Sequence, residues 1–124
     1  MSSSREHYSG IIVVTAWLDL KNRFLSDPTS RRLGGIASDL TRLANLAQAK
    51  KLNEPVFQDV LTELKLFTEW AAPEADLKTQ MTLLAVQKNL AKWAFDKKVN
   101  ASQINRLATR WSKDVLEISG VFHS

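Results

Sequence analysis

Apolar residues recur every three or four positions over most of the chain, which is the spacing of one face of an α-helix. In the stretch 33–47 the apolar positions are Leu33, Ile36, Ala37, Leu40, Leu43, Ala44 and Ala47. Similar stripes run through residues 57–71, 83–94 and 104–118. The sequence therefore predicts a series of amphipathic helices, each of which must bury one side against the others.

Proline, glycine and capping residues mark where these helices begin and end. The predicted helices cover residues 9–25, 28–47, 54–71, 74–97 and 101–119. The second opens after Asp27, which can cap it, and Pro28 suits the first turn, where its missing N–H costs nothing. The fifth has the clearest bounds, because Asn100 and Gln103 are spaced as in a capping box and Gly120 ends the helix.

The start of the first helix has two possible structures. Residues 11–14 are Ile-Ile-Val-Val, and β-branched residues of this kind could also open a strand. No second strand-like run is present to pair with them, and a lone strand leaves its backbone polar groups unsatisfied. A helix over 9–25 is therefore favoured.

Five amphipathic helices joined by short loops predict an all-α fold, a single compact helical bundle. We expect the 124 residues to form one domain, with 1–9 and 121–124 frayed. The apolar share of 44% and the charged share of 24% are those of a folded globular protein. Because the apolar run near residue 11 is too short to span a membrane and no signal-peptide cleavage site follows it, we expect a cytoplasmic protein.

The fourth predicted helix carries apolar residues on two sides. One stripe comprises Leu83, Val86, Leu90, Trp93 and Ala94, and the other comprises Leu77, Met81, Leu84 and Phe95. Such a helix is either central in its bundle or contacts a partner. In the third helix Leu66 and Trp70 fall off the core stripe, so Trp70 either contacts a partner or packs under the first helix. The candidate protein-interface residues are Leu66, Trp70, Leu77, Met81 and Leu84.

Charge is segregated along the chain. Residues 54–76 contain six acids and one lysine, a net charge of −5, whereas residues 78–113 contain eight bases and one acid, a net charge of +7. If the fourth and fifth helices are antiparallel neighbours, their bases can form one patch that contacts nucleic-acid phosphates. The candidate nucleic-acid-binding residues are Arg31, Arg32, Lys88, Lys92, Lys97, Lys98, Arg106, Arg110 and Lys113.

These surfaces support two hypotheses, and a basic face can also be merely solvated. The favoured hypothesis is a small basic subunit that contacts RNA or DNA backbone without sequence specificity inside a larger ribonucleoprotein-type assembly. In size, helicity and basic bias the chain resembles the small helical subunits of CRISPR effector complexes, a likeness of shape that no motif carries. The alternative is a protein–protein interaction module, a homodimer, adaptor or regulator, that uses the second apolar face of the fourth helix together with Leu66 and Trp70.

Catalytic and metal-binding chemistry has little support in the sequence. The chain has no cysteine, and His7 and His123 lie near its ends without partners at helical spacing. Asp59 and Glu63 stand one turn apart on a face predicted to be solvated, without the burial or charged neighbour that a catalytic carboxylate usually needs. The Gly34–Gly35 pair lacks the motif of a phosphate loop and can instead let another helix approach closely, loosen its own helix or mark its start. We therefore predict no enzyme activity, no metal and no cofactor.

Overall fold

The computed structural model describes residues 16–95 and 100–119, and this part of the chain contains five α-helices, one short 3₁₀ helix and no strand. Helix α1 covers residues 16–26 of it. It is followed by α2 (Thr29–Gln48), α3 (Pro55–Ala71), the short 3₁₀ helix Ala72–Glu74, α4 (Leu77–Phe95) and α5 (Ala101–Ser119). The predicted all-α bundle is confirmed. The β-branched run at 11–14 lies outside the described residues.

Helix α2 is central in the bundle. It packs along much of α5 and along α3, and α3 in turn packs against α4. The largest apolar side chains that are fully buried in the shared core include Ile36, Leu40, Leu43, Leu64, Leu83 and Ile104. Each such side chain stabilises the fold by about 1.5–3 kcal/mol. Helix α5 contacts α2 extensively but contacts α4 at few points, so α4 lies at the edge of the described bundle.

The start of α4 differs from the prediction. Pro73 lies in the 3₁₀ helix Ala72–Glu74, and α4 itself begins at Leu77 rather than at residue 74. The side chain of Asp76 caps it, since Oδ1 of Asp76 accepts the backbone N–H of Thr79 at 2.8 Å. Hydrogen bonding by the side chain of Thr79, together with that of its backbone N–H, lowers the pKa of Asp76. An aspartate three residues before a threonine was the signal in the sequence for this start.

The other two capping predictions have opposite outcomes. Asp27 does not cap α2, because Pro28 occupies the N-cap position and none of the described side chains bonds the first turn. Asn100 does cap α5, as predicted. Its Oδ1 accepts the backbone N–H of Ser102 at 2.8 Å.

Gly34 and Gly35 lie inside α2, and neither is needed for a close approach of another of the described helices. Among the described residues, a Cβ added at Gly34 would meet nothing within 4 Å, and one added at Gly35 would reach only Cε2 of Phe67 at 4.0 Å, an ordinary van der Waals contact. The prediction of close helix packing at this pair is therefore wrong.

Candidate interaction surfaces

The side of α4 that points away from the core is apolar along most of its length. Its large apolar side chains are between 52% and 87% exposed. Together with one exposed lysine and one exposed alanine, these four side chains make a row of six residues on α4. Successive members of the row are four, three, four, three and four positions apart, which is the heptad spacing of a coiled-coil seam. We refer to these six residues as the outer stripe: Leu77, Met81, Leu84, Lys88, Ala91 and Phe95.

The opposite side of α4 faces the core. Leu83, Val86, Leu90 and Trp93 are buried there. The prediction of two apolar faces is confirmed, except that Ala94, expected on the core face, is exposed. Because the second face is exposed in the described structure, a central position in the bundle does not explain why α4 is apolar on two sides.

A groove runs between α3 and α4 beside the outer stripe. Its volume is about 380 Å³. Ala91, Ala94 and Phe95 line it from α4, and Lys65 and Glu69 line it from α3. Since two of the α4 residues are alanines, the groove has room for a large side chain supplied by a partner.

Positive charge borders the outer stripe on one side. The lysines of α4 are Lys78, Lys88 and Lys92, all exposed, and the helix contains no acidic residue. At 100° per residue Lys88 falls within the stripe, while Lys92 and Lys78 lie about 60° and 100° around the helix from Leu77. The other side of the stripe carries two glutamines. The outer stripe is thus an apolar seam with cations along one edge.

A second row of cations lies on α5. Arg106, Arg110 and Lys113 are exposed, on the side of α5 away from the core. Nε of Arg110 is 4.0 Å from Oδ2 of Asp114, and an exposed pair at that distance contributes little stability. Among the described residues, no salt bridge joins these cations or the α4 lysines to a carboxylate of α3.

Helices α4 and α5 touch at an aromatic contact. The ring centroids of Trp93 on α4 and Trp111 on α5 are 5.7 Å apart, and the two helices share few other contacts in the described residues. Lys97 and Lys98, which the predicted patch needs between the rows, lie outside the described residues. The described cations therefore form two rows, one on each helix.

Arg32 does not belong to the basic surface that was predicted to include it. Its side chain is buried, and its guanidinium donates hydrogen bonds to the backbone oxygens of Leu25 and Asp27 and forms a salt bridge with Glu74. These bonds join the end of α1 to the turn after α3. Arg31, by contrast, has a side chain that is 74% exposed, with Nη1 3.8 Å from Oδ1 of Asp27.

Trp70 packs within the bundle. Its ring centroid lies 5.8 Å from that of Phe24 on α1 and 6.0 Å from that of Phe67, and these two phenylalanines stack at 4.5 Å. Leu66 and Trp70 are both half-buried. Of the two alternatives given by the sequence, packing of Trp70 under α1 is the one observed. Leu66 and the α4 residues therefore remain the predicted interface set.

Asp39 is a buried carboxyl that the sequence analysis missed. Its Oδ1 is 3.4 Å from Nη1 of Arg42, but its Oδ2 has no hydrogen-bond partner in the described structure. Burial and the negative charge of neighbouring Glu63 raise the pKa of Asp39 to about 7, against the opposing effect of Arg42. The signal was its position, since Asp39 stands three residues after Ile36 and four before Leu43, on the core stripe of α2.

Within residues 16–95 and 100–119 no cluster of histidine, aspartate and glutamate side chains is arranged to hold a metal ion. No helix in those ranges combines the length and apolarity required to cross a membrane. His7 and His123 lie outside these ranges. Comparisons with protein-family models, with curated proteins and with solved structures found no match to this chain.

Proposed function

We propose that the protein is a non-catalytic interaction module whose outer stripe docks a helix of a partner protein. The observation that supports this most strongly is the exposure of Leu77, Met81 and Leu84 on a helix whose opposite side lies in the core. A contiguous exposed apolar surface of this kind marks an interaction site in soluble proteins. Heptad spacing fits a second helix, which can place its own side chains between those of α4.

The middle of the stripe is expected to contribute most of the affinity. Met81 and Leu84 are 65% and 52% exposed, so a docked helix would remove most of their remaining surface from water. Residues at the centre of an interface dominate binding, because the surrounding contacts exclude solvent from them. Methionine also adapts its shape to a partner more readily than a branched side chain does.

Site-specific photocrosslinking in cells that naturally produce the protein tests this function. A photoreactive residue is placed at Met81 and, as a control, at exposed Gln48 at the end of α2. The proposal expects one discrete protein adduct from position 81, lost when Leu84→Glu is added, and no such adduct from position 48. If position 81 gives no adduct, or gives one that Leu84→Glu leaves unchanged, the docking function is wrong.

A second candidate function is contact with the nucleic-acid backbone, as in a ribonucleoprotein-type assembly. It is supported by the exposed row of Arg106, Arg110 and Lys113, whose spacing lets one helix face follow a line of phosphates. If the protein binds nucleic acid in this way, Arg31, Lys88 and Lys92 would add to the positive electrostatic field around the α5 row. Arg32 would not, because it is buried.

Gel-shift titration with RNA and with DNA at about 50 mM salt tests this second candidate. The triple variant R106E/R110E/K113E should lose most of the binding. The matched control K78E/K88E/K92E makes the same change in net charge on α4 and should lose less. Failure of the unaltered protein to shift either nucleic acid would contradict the candidate, and so would an equal loss in the two variants.

A further inference from the structure

We infer that the helix docked on the outer stripe is acidic, with carboxylates along the edge that meets the lysines of α4. The inference rests on the docking function proposed above and adds the chemistry of the partner. Its basis is the charge of α4, which carries Lys78, Lys88 and Lys92 on its exposed side and no acidic residue between Leu77 and Phe95. Complementary charge across an interface favours one partner and excludes others.

Of the three lysines, Lys88 most strongly restricts the charge that a docked helix can place opposite it. It occupies a seam position between Leu84 and Ala91, so a docked helix would cover its aliphatic stem and bring its ammonium group to the margin of the contact. A lysine at a seam position weakens a coiled coil unless a partner group meets the charge. A carboxylate from the docked helix would meet it, and a lysine or arginine there would be repelled.

A second copy of this chain does not supply such a partner. In the described residues the exposed large apolar side chains lie on α4 and, as Leu18 and Leu25, on α1. Two α4 helices packed together would bring six lysines to one interface and no acid from either α4, and Glu69 in the groove beside each stripe is offset by Lys65. Helix α1 is also basic beside its exposed leucines, with Lys21 and Arg23 against Asp19.

The acidic helix α3 of another copy also fails as the partner. Its apolar residues are buried or half-buried, so it has no exposed apolar stripe to pair with that of α4.

A lipid surface fits the outer stripe less well than a helix for a different reason. The outer stripe is a seam with a lysine in its middle and a groove of about 380 Å³ beside it, and side chains of a helix can enter that groove.

Three designed helical peptides provide the test. Each has about three heptads with leucine at the seam positions, and the flanking positions are all glutamate, all glutamine or all lysine. Binding to the unaltered protein is measured by fluorescence anisotropy at low and high salt. We expect the glutamate peptide to bind at least about tenfold more tightly than the lysine peptide at low salt, and the preference to shrink at high salt.

Charge-reversal variants locate the effect. In K78E/K88E/K92E the order of the glutamate and lysine peptides should invert, whereas R106E/R110E/K113E, with the same change in net charge on α5, should keep the original order. All six positions are exposed, and circular dichroism checks that both variants remain folded. If both variants respond equally, overall charge explains the preference and the inference fails.

The other outcomes separate this inference from the docking function. Equal binding of all three peptides would overturn the acidic partner and leave the docking surface standing. Binding of none of them, including the glutamine peptide, would overturn the docking surface itself. If light scattering gives a dimeric mass that Leu84→Glu converts to a monomer, the occupant of the outer stripe is a second copy of the chain. If the protein binds tightly to vesicles of anionic lipid and Leu84→Glu abolishes that binding, the occupant is a membrane surface.

Discussion

Leu83 and Leu84 are consecutive residues of α4, yet Leu83 is fully buried and Leu84 is 52% exposed. Their side chains leave the helix about 100° apart, which takes one into the core and the other out to solvent. The same residue type thus has two different roles at adjacent positions. Leu83 holds the fold together, and Leu84 belongs to the outer stripe.

This pair gives a matched test of stability. Leu83→Ala should lower the free energy of unfolding by about 2–5 kcal/mol, because it leaves a cavity in the core. Leu84→Ala removes the same atoms from an exposed position and should change it by less than about 1 kcal/mol. Urea unfolding of the two variants measures the difference. A loss at Leu84 as large as that at Leu83 would mean that the outer stripe is part of the core in solution.

Gly34→Ala should stabilise the protein. A Cβ at this position would meet no atom of the described residues within 4 Å, so the substitution removes a flexible residue from the interior of α2 without a steric cost. The expected gain is about 0.5–1 kcal/mol in the free energy of unfolding, measured in urea. Ala37→Gly in the same helix is the control and should destabilise, since Ala37 is buried. A destabilising Gly34→Ala would show that the glycine is required by something outside the described contacts.

The Asp39 carboxyl makes stability depend on pH. Its pKa is about 7 in the fold and near the ordinary value of 3.8 in the unfolded chain, so the folded protein holds the proton more tightly. Its contribution to stability is therefore fully present below pH 3.8 and is lost as the pH rises to about 7. When Asp39 is ionised, its buried and unpaired Oδ2 carries negative charge beside Glu63, which disfavours the charged form.

Asp39→Asn should consequently stabilise the protein at pH 8, by roughly 1–2 kcal/mol in urea unfolding, and should do so less at pH 5. Loss of the contact with Arg42 offsets part of this gain. Asp59→Asn, at an exposed position on α3, is the control and should have little effect at either pH. The same change in stability at pH 5 and pH 8 for Asp39→Asn would contradict a raised pKa.

Arg32→Lys should destabilise the protein although it keeps the charge. Lysine cannot reproduce the planar guanidinium that bonds Leu25, Asp27 and Glu74 together, and we expect a loss of about 1–3 kcal/mol in the free energy of unfolding. Arg31→Lys, at a side chain 74% exposed, should change little. Equal stability of the two variants would mean that the buried bonds of Arg32 contribute nothing.

Helical periodicity predicted much of this structure. The five helices, the core stripe of α2 and the two apolar faces of α4 all follow from spacing, because a helix fixes which residues share a side. Asn100 was identified as a cap for the same reason, since capping depends on residues three apart. The capping role of Asp76 was missed because Pro73 predicts a helix that starts at residue 74. Helix α4 instead begins at Leu77, after the 3₁₀ helix that contains Pro73.

The tertiary contacts of polar residues could not be predicted in the same way. Arg32 and Asp39 lie at the margin of the α2 core stripe. Their positions in the helical repeat of α2 therefore indicated that they are buried. Their partners Glu74 and Glu63 are distant in sequence, however, and only the packing of α2 against α3 brings them close. Trp70 shows the same limit, because its contact with Phe24 depends on where α1 lies.

The outer stripe should be covered by a partner in the cell, and the accessibility of a cysteine placed on it measures this coverage. The chain has no native cysteine, so single cysteines at Leu84 and at the control position Gln48 can each be labelled alone with a maleimide. We predict that Leu84→Cys is labelled rapidly in the purified protein but is strongly protected in intact cells, whereas Gln48→Cys is labelled in both. Equal labelling of the Leu84→Cys protein in cells and after purification would contradict the claim.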